Sequence, residues 1–365
     1  MKVLVTGSDG FLGRNLSLTL KQRGHEVLKY DRSTAEPLEE LVSKADFVMH
    51  LAGINRPKDP AEFFQGNAGL TQQLIQLLQA QKRSIPLLLS SSIQAAQNND
   101  YGASKKQAED LVFQYGRDTG SPVFVFRLEN AFGKWSRPNY NSVVSTFCYN
   151  TAHGIPLSIR DRSAEVVFVY VDDIMDAFIR CLDQPGSMEY LHVKPVYPVT
   201  LGQLADMVQS FAEDRRDFMI ADMKDDFTRK LYATYLSYLP ADGFSSPLHP
   251  HADQRGSFTE LFHTPDRGQF SVNVIRPGIV KGNHWHHTKN EKFVVVSGEC
   301  VIRFRKVEET EVYTYHVSAE QPVVVDIPTG YTHNIENTGT QDAVVVMWAS
   351  EIFDPEHPDT FSEEV

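Results

Sequence analysis

Gly278-Ile-Val-Lys-Gly-Asn-His284-Trp-His286-His-Thr-Lys-Asn-Glu291-Lys-Phe-Val-Val-Val-Ser-Gly298 sets the character of the C-terminal part of this chain. Two imidazoles stand two residues apart, and a carboxylate follows five residues after the second. On a β-strand, residues two apart share a face, so the spacing predicts that His284 and His286 converge. Glu291 comes after a short polar turn and opens the apolar run 293–296. A second stretch, Pro328-Thr-Gly330-Tyr-Thr-His333-Asn-Ile-Glu-Asn337, adds His333 just beyond a Pro-x-Gly turn. Three imidazoles and one carboxylate, His284, His286, Glu291 and His333, form an N/O ligand set for a divalent metal, zinc in the first place.

These residues also fall on a longer pattern. Gly, five residues, His-x-His, four residues, Glu, six residues, Gly is matched at Gly278, His284, His286, Glu291 and Gly298, and resembles the first motif of the cupin family. The second motif of that family, Pro-x-Gly-x-x-His-x-x-x-Asn, is matched at Pro328, Gly330, His333 and Asn337. Pro322 replaces the usual glycine ahead of it, a departure in a turn and not in a ligand. Short apolar runs at 270–275, 293–296, 301–304, 312–317, 323–327 and 344–348, separated by Gly, Pro and Asn, predict an all-β barrel or jelly roll. The competing reading is a cupin barrel that keeps its histidines without a metal.

The N-terminus has a different texture. Lys2-Val-Leu-Val-Thr6 predicts a buried strand, Gly7-Ser-Asp-Gly10-Phe-Leu-Gly13 a tight turn, residues 14–23 a helix, and residues 24–30 a second strand ending at Asp31. Strand, glycine-rich turn, helix and strand form a βαβ unit that lets backbone close on a pyrophosphate at a helix N-terminus. Asp31 suits a free ribose 2′-OH, whereas the adjacent Arg32 suits a 2′-phosphate; the balance is set at NADPH.

The Gly-x-x-Gly-x-x-Gly spacing resembles the extended short-chain dehydrogenase/reductase family. His50-Leu-Ala-Gly53 ends an expected fourth strand, where that resemblance lays backbone beside the cofactor, and Leu87-Leu-Leu-Ser-Ser-Ser92 ends the next with hydroxyls. Tyr101-Gly-Ala-Ser-Lys105 matches the family's Tyr-x-x-x-Lys and puts both side chains on one helix face. The resemblance implies that Tyr101 donates a proton to a carbonyl oxygen, that Lys105 lowers the phenol pKa and binds the nicotinamide ribose, and that Ser92, with Ser91 in reserve, bonds the same oxygen. Ser92 and Tyr101 are only nine residues apart, shorter than is usual there. Arg127-Leu-Glu-Asn130-Ala-Phe-Gly133 and the stretch 168–177 resemble sugar-nucleotide members; Arg160 and Arg162 between them are either diphosphate ligands or a solvated face.

Composition bounds the rest. The 365 residues suffice for two domains, and a net charge of −12 with no basic patch argues against nucleic acid. Three scattered cysteines suit a reducing cytoplasm, and no apolar run is long enough for membrane insertion. Pro240-Ala-Asp-Gly-Phe-Ser-Ser-Pro247 is rich in breakers, so the expected domains are 1–243 and 244–365. Asp253-Gln-Arg255-Gly256-Ser-Phe258-Thr-Glu260 resembles a stretch of cupin-type sugar 3,5-epimerases, or is a polar turn entering a strand.

An extended reductase joined to a metal cupin resembles, over essentially the whole chain, the capsular polysaccharide synthesis family of CapF type. That resemblance implies C3 epimerisation of a UDP-activated 4-keto-6-deoxy amino sugar in the cupin, then NADPH-dependent reduction of the C4 ketone. It also implies a homo-oligomer, a dimer in the simplest case. Candidate epimerase bases are Lys281, His287 and Tyr331, left unranked. The alternatives are a reductase whose cupin only dimerises or binds ligand, and a 4,6-dehydratase- or 4-epimerase-like enzyme; Ser92 stands where the dehydratases carry a Thr-Asp-Glu run.

Overall fold

The computed structural model of the protein describes residues 1–57 and 59–365. Two compact units emerge: Met1–Gln209 with Lys224–Pro240, and Ser210–Met223 with Ala241–Val365.

Strands of the first unit are β1 (Lys2–Thr6), β2 (Glu26–Tyr30), β3 (Phe47–His50), β4 (Leu87–Ser92), β5 (Val123–Leu128), β6 (Asn130–Phe132), β7 (Glu165–Tyr170), β8 (Tyr190–Leu191) and β9 (Tyr197–Thr200). Six of them form a parallel sheet in the order β2-β1-β3-β4-β5-β8, and β6, β7 and β9 form a small separate sheet. A parallel sheet covered on both faces needs continuous apolar strands. In β1, Val3, Leu4 and Val5 are all fully buried. Their alternation sorts them into two cores. Val3 and Val5 meet Leu16 and Leu20 of the helix Phe11–Gln22 and Ile174 and Phe178 of the helix Val171–Arg180. Leu4 faces the other way, toward Leu74 and Leu78 of the helix Leu70–Ala80 and Val112 of the helix Asp100–Thr119. The result is the helix–sheet–helix sandwich of a Rossmann-type domain. One expectation needs correcting: His50 ends the third strand, not a fourth. Between Asp31 and Asp46 the chain forms the helix Leu38–Lys44, which buries Leu38, Leu41 and Val42.

From residue 251 onward the second unit is all β: β10 (His251–Asp253), β11 (Gly256–Thr264), β12 (Gly268–Ile275), β13 (Val280–Trp285), β14 (Glu291–Ser297), β15 (Glu299–Lys306), β16 (Val312–Ser318), β17 (Val325–Ile327), β18 (Tyr331–Asn337), β19 (Ala343–Ala349) and β20 (Phe361–Ser362). They form two antiparallel sheets, β10-β11-β12-β19-β14-β17 and β16-β15-β18-β13-β20. Inward residues of both, including Ile275, Phe293, Val295, Ile302, Phe304, Ile335 and Val345, make one core of jelly-roll type. Fully buried Asn337 ties the end of β18 to this core by donating to the carbonyls of Ile275 and Gln341.

Ser210–Met223 crosses the expected boundary at 243/244 and joins this second unit. The short β10 pairs only with the start of β11, so the far edge of β11 has backbone groups to fill. His263 fills them by donating to the carbonyl of Phe218 and accepting from the amide of Ile220. No helix among the described residues is long and apolar enough to cross a membrane.

Candidate functional site

In the first unit the glycine turn closes as its chemistry requires. Gly7 is left-handed, with φ +70, and a Cβ there would lie 2.8 Å from the Ala52 backbone. A Cβ on Gly13 would lie 2.0 Å from the Gly7 carbonyl oxygen. Any larger residue would therefore fill the cradle or push the helix out of it. Gly10 precedes the helix Phe11–Gln22 with no side-chain cap, leaving the first amides and the positive end of the helix dipole open to an anion. Asp31 organises the turn: its carboxylate accepts from the backbone amides of Asp9 and Arg32. Arg32 is exposed and, among the described residues, has no ion-pair partner. This cradle fits a dinucleotide pyrophosphate.

Tyr101, Lys105 and Ser92 come together beside it. The short link between β4 and the next helix is taken up by a 3-10 turn, Ile93–Ala96, and by Asn99, which caps the helix by accepting from the Gly102 amide. This returns Tyr101 to Ser92. Burial raises the Tyr101 phenol above its ordinary pKa, and hydrogen bonding with Ser92 opposes the rise. The buried Lys105 donates to the Ser90 carbonyl at 2.8 Å. Burial lowers its ammonium to about 8, with the carboxylate of Glu109 opposing. Ser91 is turned elsewhere: its hydroxyl donates to Glu109 at 2.6 Å. Gly53 lies between the cradle and these side chains, because a Cβ on it would lie 2.8 Å from Asn67 Oδ1 and 3.6 Å from Lys105 Nζ.

Three neighbours escape sequence reading. Asn67 sits in a π-helical turn, Gln65–Gly69, donates to Ser104 and Ile54, and accepts from the Ile54 amide. A π-turn is set by packing and has no residue signature, although it often marks a working site. His50 lies buried between the hydroxyls of Thr6 and Thr71, and burial depresses it to about 3. Glu109 is fully buried two helical turns beyond Tyr101.

In the second unit, His284, His286, Glu291 and His333 each bring one ligand atom to within 4.8 Å of the others. A bulge makes this possible. Gly282 and Asn283 have positive φ and shift the β13 register by one residue, which pairs His284 directly with His333. Glu291 opens β14 with its carboxylate 3.4 Å from Nε2 of both His286 and His333. Those two nitrogens and Glu291 Oε2 are buried with no hydrogen-bond partner. Buried lone pairs converging without a donor are what a cation would satisfy, so the residues fit a divalent metal. The surroundings push the same way: burial and the other two imidazoles depress His284 to about 4. Burial alone would raise the Glu291 carboxyl, but His286 and His333 hold it below its ordinary range.

The C-terminal segment supports this centre. The Asp359 carbonyl accepts from His286 Nδ1 at 2.5 Å, which directs the Nε2 lone pair inward. Its carboxylate accepts the amides of His287, Thr288 and Lys289 and the Thr288 hydroxyl. Two residues on, β20 pairs with His284 and Trp285, and Phe361 stacks on the Trp285 ring at 4.9 Å.

The remaining candidates scatter. Asp253, Arg255, Phe258, Asn273 and Lys281 line a cavity of about 600 Å³. Lys281 donates there to Asn273 Oδ1 and the Val274 carbonyl. Glu260, from the same motif, bonds His263 instead. His287 packs edge-on to Trp285 and Phe361, and Tyr331 lies near Tyr313. Arg162 is held by Asp206 at 2.7 Å, while Arg160 is exposed.

Comparison with known proteins agrees with both halves. The family described as NAD dependent epimerase/dehydratase matches residues 3–193, and the polysaccharide biosynthesis C-terminal domain matches residues 251–361. A UDP-2-acetamido-2,6-beta-L-arabino-hexul-4-ose reductase of Pseudomonas aeruginosa is 45% identical, covering 99% of this chain and 98% of its own. The crystal structure of the capsular polysaccharide assembling protein CapF from Staphylococcus aureus is 47% identical over 100% of both chains, with a TM-score of 0.94. A UDP-glucuronic acid 4-epimerase of Bacillus cereus is 18% identical, covers 65% of this chain and 96% of its own with a TM-score of 0.57, and shares the fold.

Proposed function

This chain belongs to the NAD-dependent epimerase/dehydratase family, and on that footing we propose that it is a bifunctional enzyme of UDP-activated amino sugars. Its second unit epimerises C3 of a UDP-4-keto-6-deoxy-N-acetylhexosamine. Its first unit then reduces the C4 ketone, in UDP-N-acetyl-L-fucosamine and capsule synthesis. What supports this reading is that one chain carries both a Tyr101–Lys105–Ser92 group beside a cradle that fits a dinucleotide and, in its second unit, a four-residue group that fits a metal. The Pseudomonas relative is named for a 4-ulose, the ketone such a reductase consumes.

Bound NADPH would supply the hydride, with Gly7, Gly10 and Gly13 along the pyrophosphate, Arg32 toward the 2′-phosphate and Gly53 beside the nicotinamide end. Tyr101 gives its hydroxyl proton to the ketone oxygen as that oxygen becomes an alcohol. Lys105 stabilises the phenolate left behind, and Ser92 holds the oxygen in line. A zinc ion held by His284, His286, Glu291 and His333 would supply Lewis acidity toward a ketone oxygen. Asp359 keeps His286 in the tautomer that can ligate. The working form is a cytoplasmic homodimer.

The order of steps follows from carbon acidity. A C3–H is acidic only while C4 is a ketone, because its carbanion is then an enolate. Reduction must come second and traps the product of a reversible step. In D₂O, with the 4-keto UDP-sugar and no NADPH, the full-length protein should place deuterium at C3. NADPH oxidation without any exchange at C3 would reduce the second unit to a binding or dimerising module.

A further inference from the structure

Tyr101, Lys105 and Glu109 lie four residues apart on the helix Asp100–Thr119, so they share one face. The first two belong to the reductase reading above; the third has no part in it. Glu109 is fully buried, and a buried carboxylate is costly unless paired. Its pairing is complete. Arg127 on β5 grips it with two bonds, of 3.0 and 2.7 Å, and Ser91 on β4 donates to it at 2.6 Å. Arg127 is itself fixed, its guanidinium lying 3.7 Å from the centroid of the Tyr190 ring. Lys105 reaches the Ser90 carbonyl while Glu109 reaches the Ser91 hydroxyl, so successive residues of β4 anchor the two side chains.

Resting on that reductase reading, we infer that Glu109 is a positioning residue for the reduction: clamped by Arg127 and Ser91, it presents a fixed counter-charge to the Lys105 ammonium. The need is physical. Burial works against the ammonium of Lys105, and an ammonium is what stabilises the Tyr101 phenolate. The charges around Lys105 are few. On its own helix it has Glu109, Tyr101 and the outward-facing Lys106 and Asp110. β3 brings His50, which burial keeps neutral, and β5 and β8 bring Arg127 and Tyr190. Glu62 lies on the neighbouring turn Ala61–Phe64. Other segments packed on the helix, Gln65–Gly69, Leu70–Ala80, Ile93–Ala96 and β4, contain no ionisable side chain. Glu109 is thus the buried anion of this neighbourhood. Arg127 holds it in place but opposes its effect on Lys105, so the two partners act on the lysine with opposite sign.

A mere structural staple would behave differently, because losing either partner would then cost stability and leave the pH profile alone. The test uses full-length protein, NADPH and the 4-keto UDP-sugar, with kcat followed from about pH 6 to about pH 10. Glu109→Gln removes the charge and keeps the shape; its alkaline limb should move down by about one pH unit or more. Arg127→Gln leaves the carboxylate uncompensated, and its alkaline limb should move up or stay. A folded Glu109→Gln with the wild-type limb would overturn the inference. If that variant does not fold, a downward shift in Arg127→Gln would overturn it, and failure of both to fold would mark the pair as structural and do the same. Tyr101→Phe separates the premise: activity surviving that change refutes the reductase reading, whereas an inactive Tyr101→Phe beside an unshifted Glu109→Gln refutes only the role of Glu109.

Discussion

Asp359→Ala tests how far the C-terminal segment supports the candidate metal site. In the native fold one carboxylate accepts three consecutive backbone amides and the Thr288 hydroxyl, all in the loop that joins His286 to Glu291. A hydrogen bond to a charged acceptor contributes roughly 1.5–3 kcal/mol when it is protected from water. His287 and Thr288 are exposed, so water recovers much of that, and the group should contribute about 2 kcal/mol in all. For a unit of this size the unfolding midpoint should drop by roughly 6–10 °C. The second consequence is at the metal. His286 keeps its tautomer through the Asp359 carbonyl, whose position depends on the same anchor. Outer partners of ligating histidines typically change metal affinity by about 10–100-fold, so zinc should bind that much more weakly in competition with a chromophoric chelator. Asp359→Asn keeps the shape without the charge and should fall between. Calorimetry and chelator titration check both numbers. An Asp359→Ala protein with an unchanged midpoint and unchanged zinc affinity would refute the reasoning and leave the tail as a passive cover.

Tyr101→Phe should lower NADPH oxidation by about 10²–10⁴-fold while leaving cofactor binding intact, since only the donated proton is lost; stopped-flow kinetics and cofactor titration check it, and near-normal turnover would remove Tyr101 from the mechanism. Arg32→Ala should weaken NADPH far more than NADH, because only NADPH carries the 2′-phosphate; equal losses would leave Arg32 a bystander. His50 gives a pH signature. Its folded pKa, about 3, lies below its ordinary value, so the unfolded chain takes up the proton first as pH falls. Stability of the first unit should therefore decline from about pH 6.5 downward. Unfolding of His50→Asn, followed by circular dichroism, should be less acid-sensitive over that window than wild type.

What local sequence determined here is what short-range geometry can carry. The period of two along a strand made His284 and His286 converge, the helical period put Tyr101 and Lys105 on one face, and steric exclusion of Cβ marked Gly7 and Gly13. The apolar run of β1 announced a buried strand, and the short alternating runs after residue 247 announced the second architecture. Residues distant in the chain could be joined only by the tertiary fold. Asp359 meets His286 across 73 positions, and no local pattern singles it out from other exposed acids. Asn67 depends on a π-turn held by packing, and Glu109 on two strands that bring it Ser91 and Arg127. Ser92 and Ser91 are equivalent as letters; Ser91 lies within β4 and meets Glu109, whereas Ser92, the last residue of the strand and the cap of the turn Ile93–Ala96, meets Tyr101. The domain boundary divided in the same way. Breakers at 240–247 are a local signal, whereas the recruitment of Ser210–Met223 depends on a bare edge of β11, a vacancy that exists only once the sheet has formed.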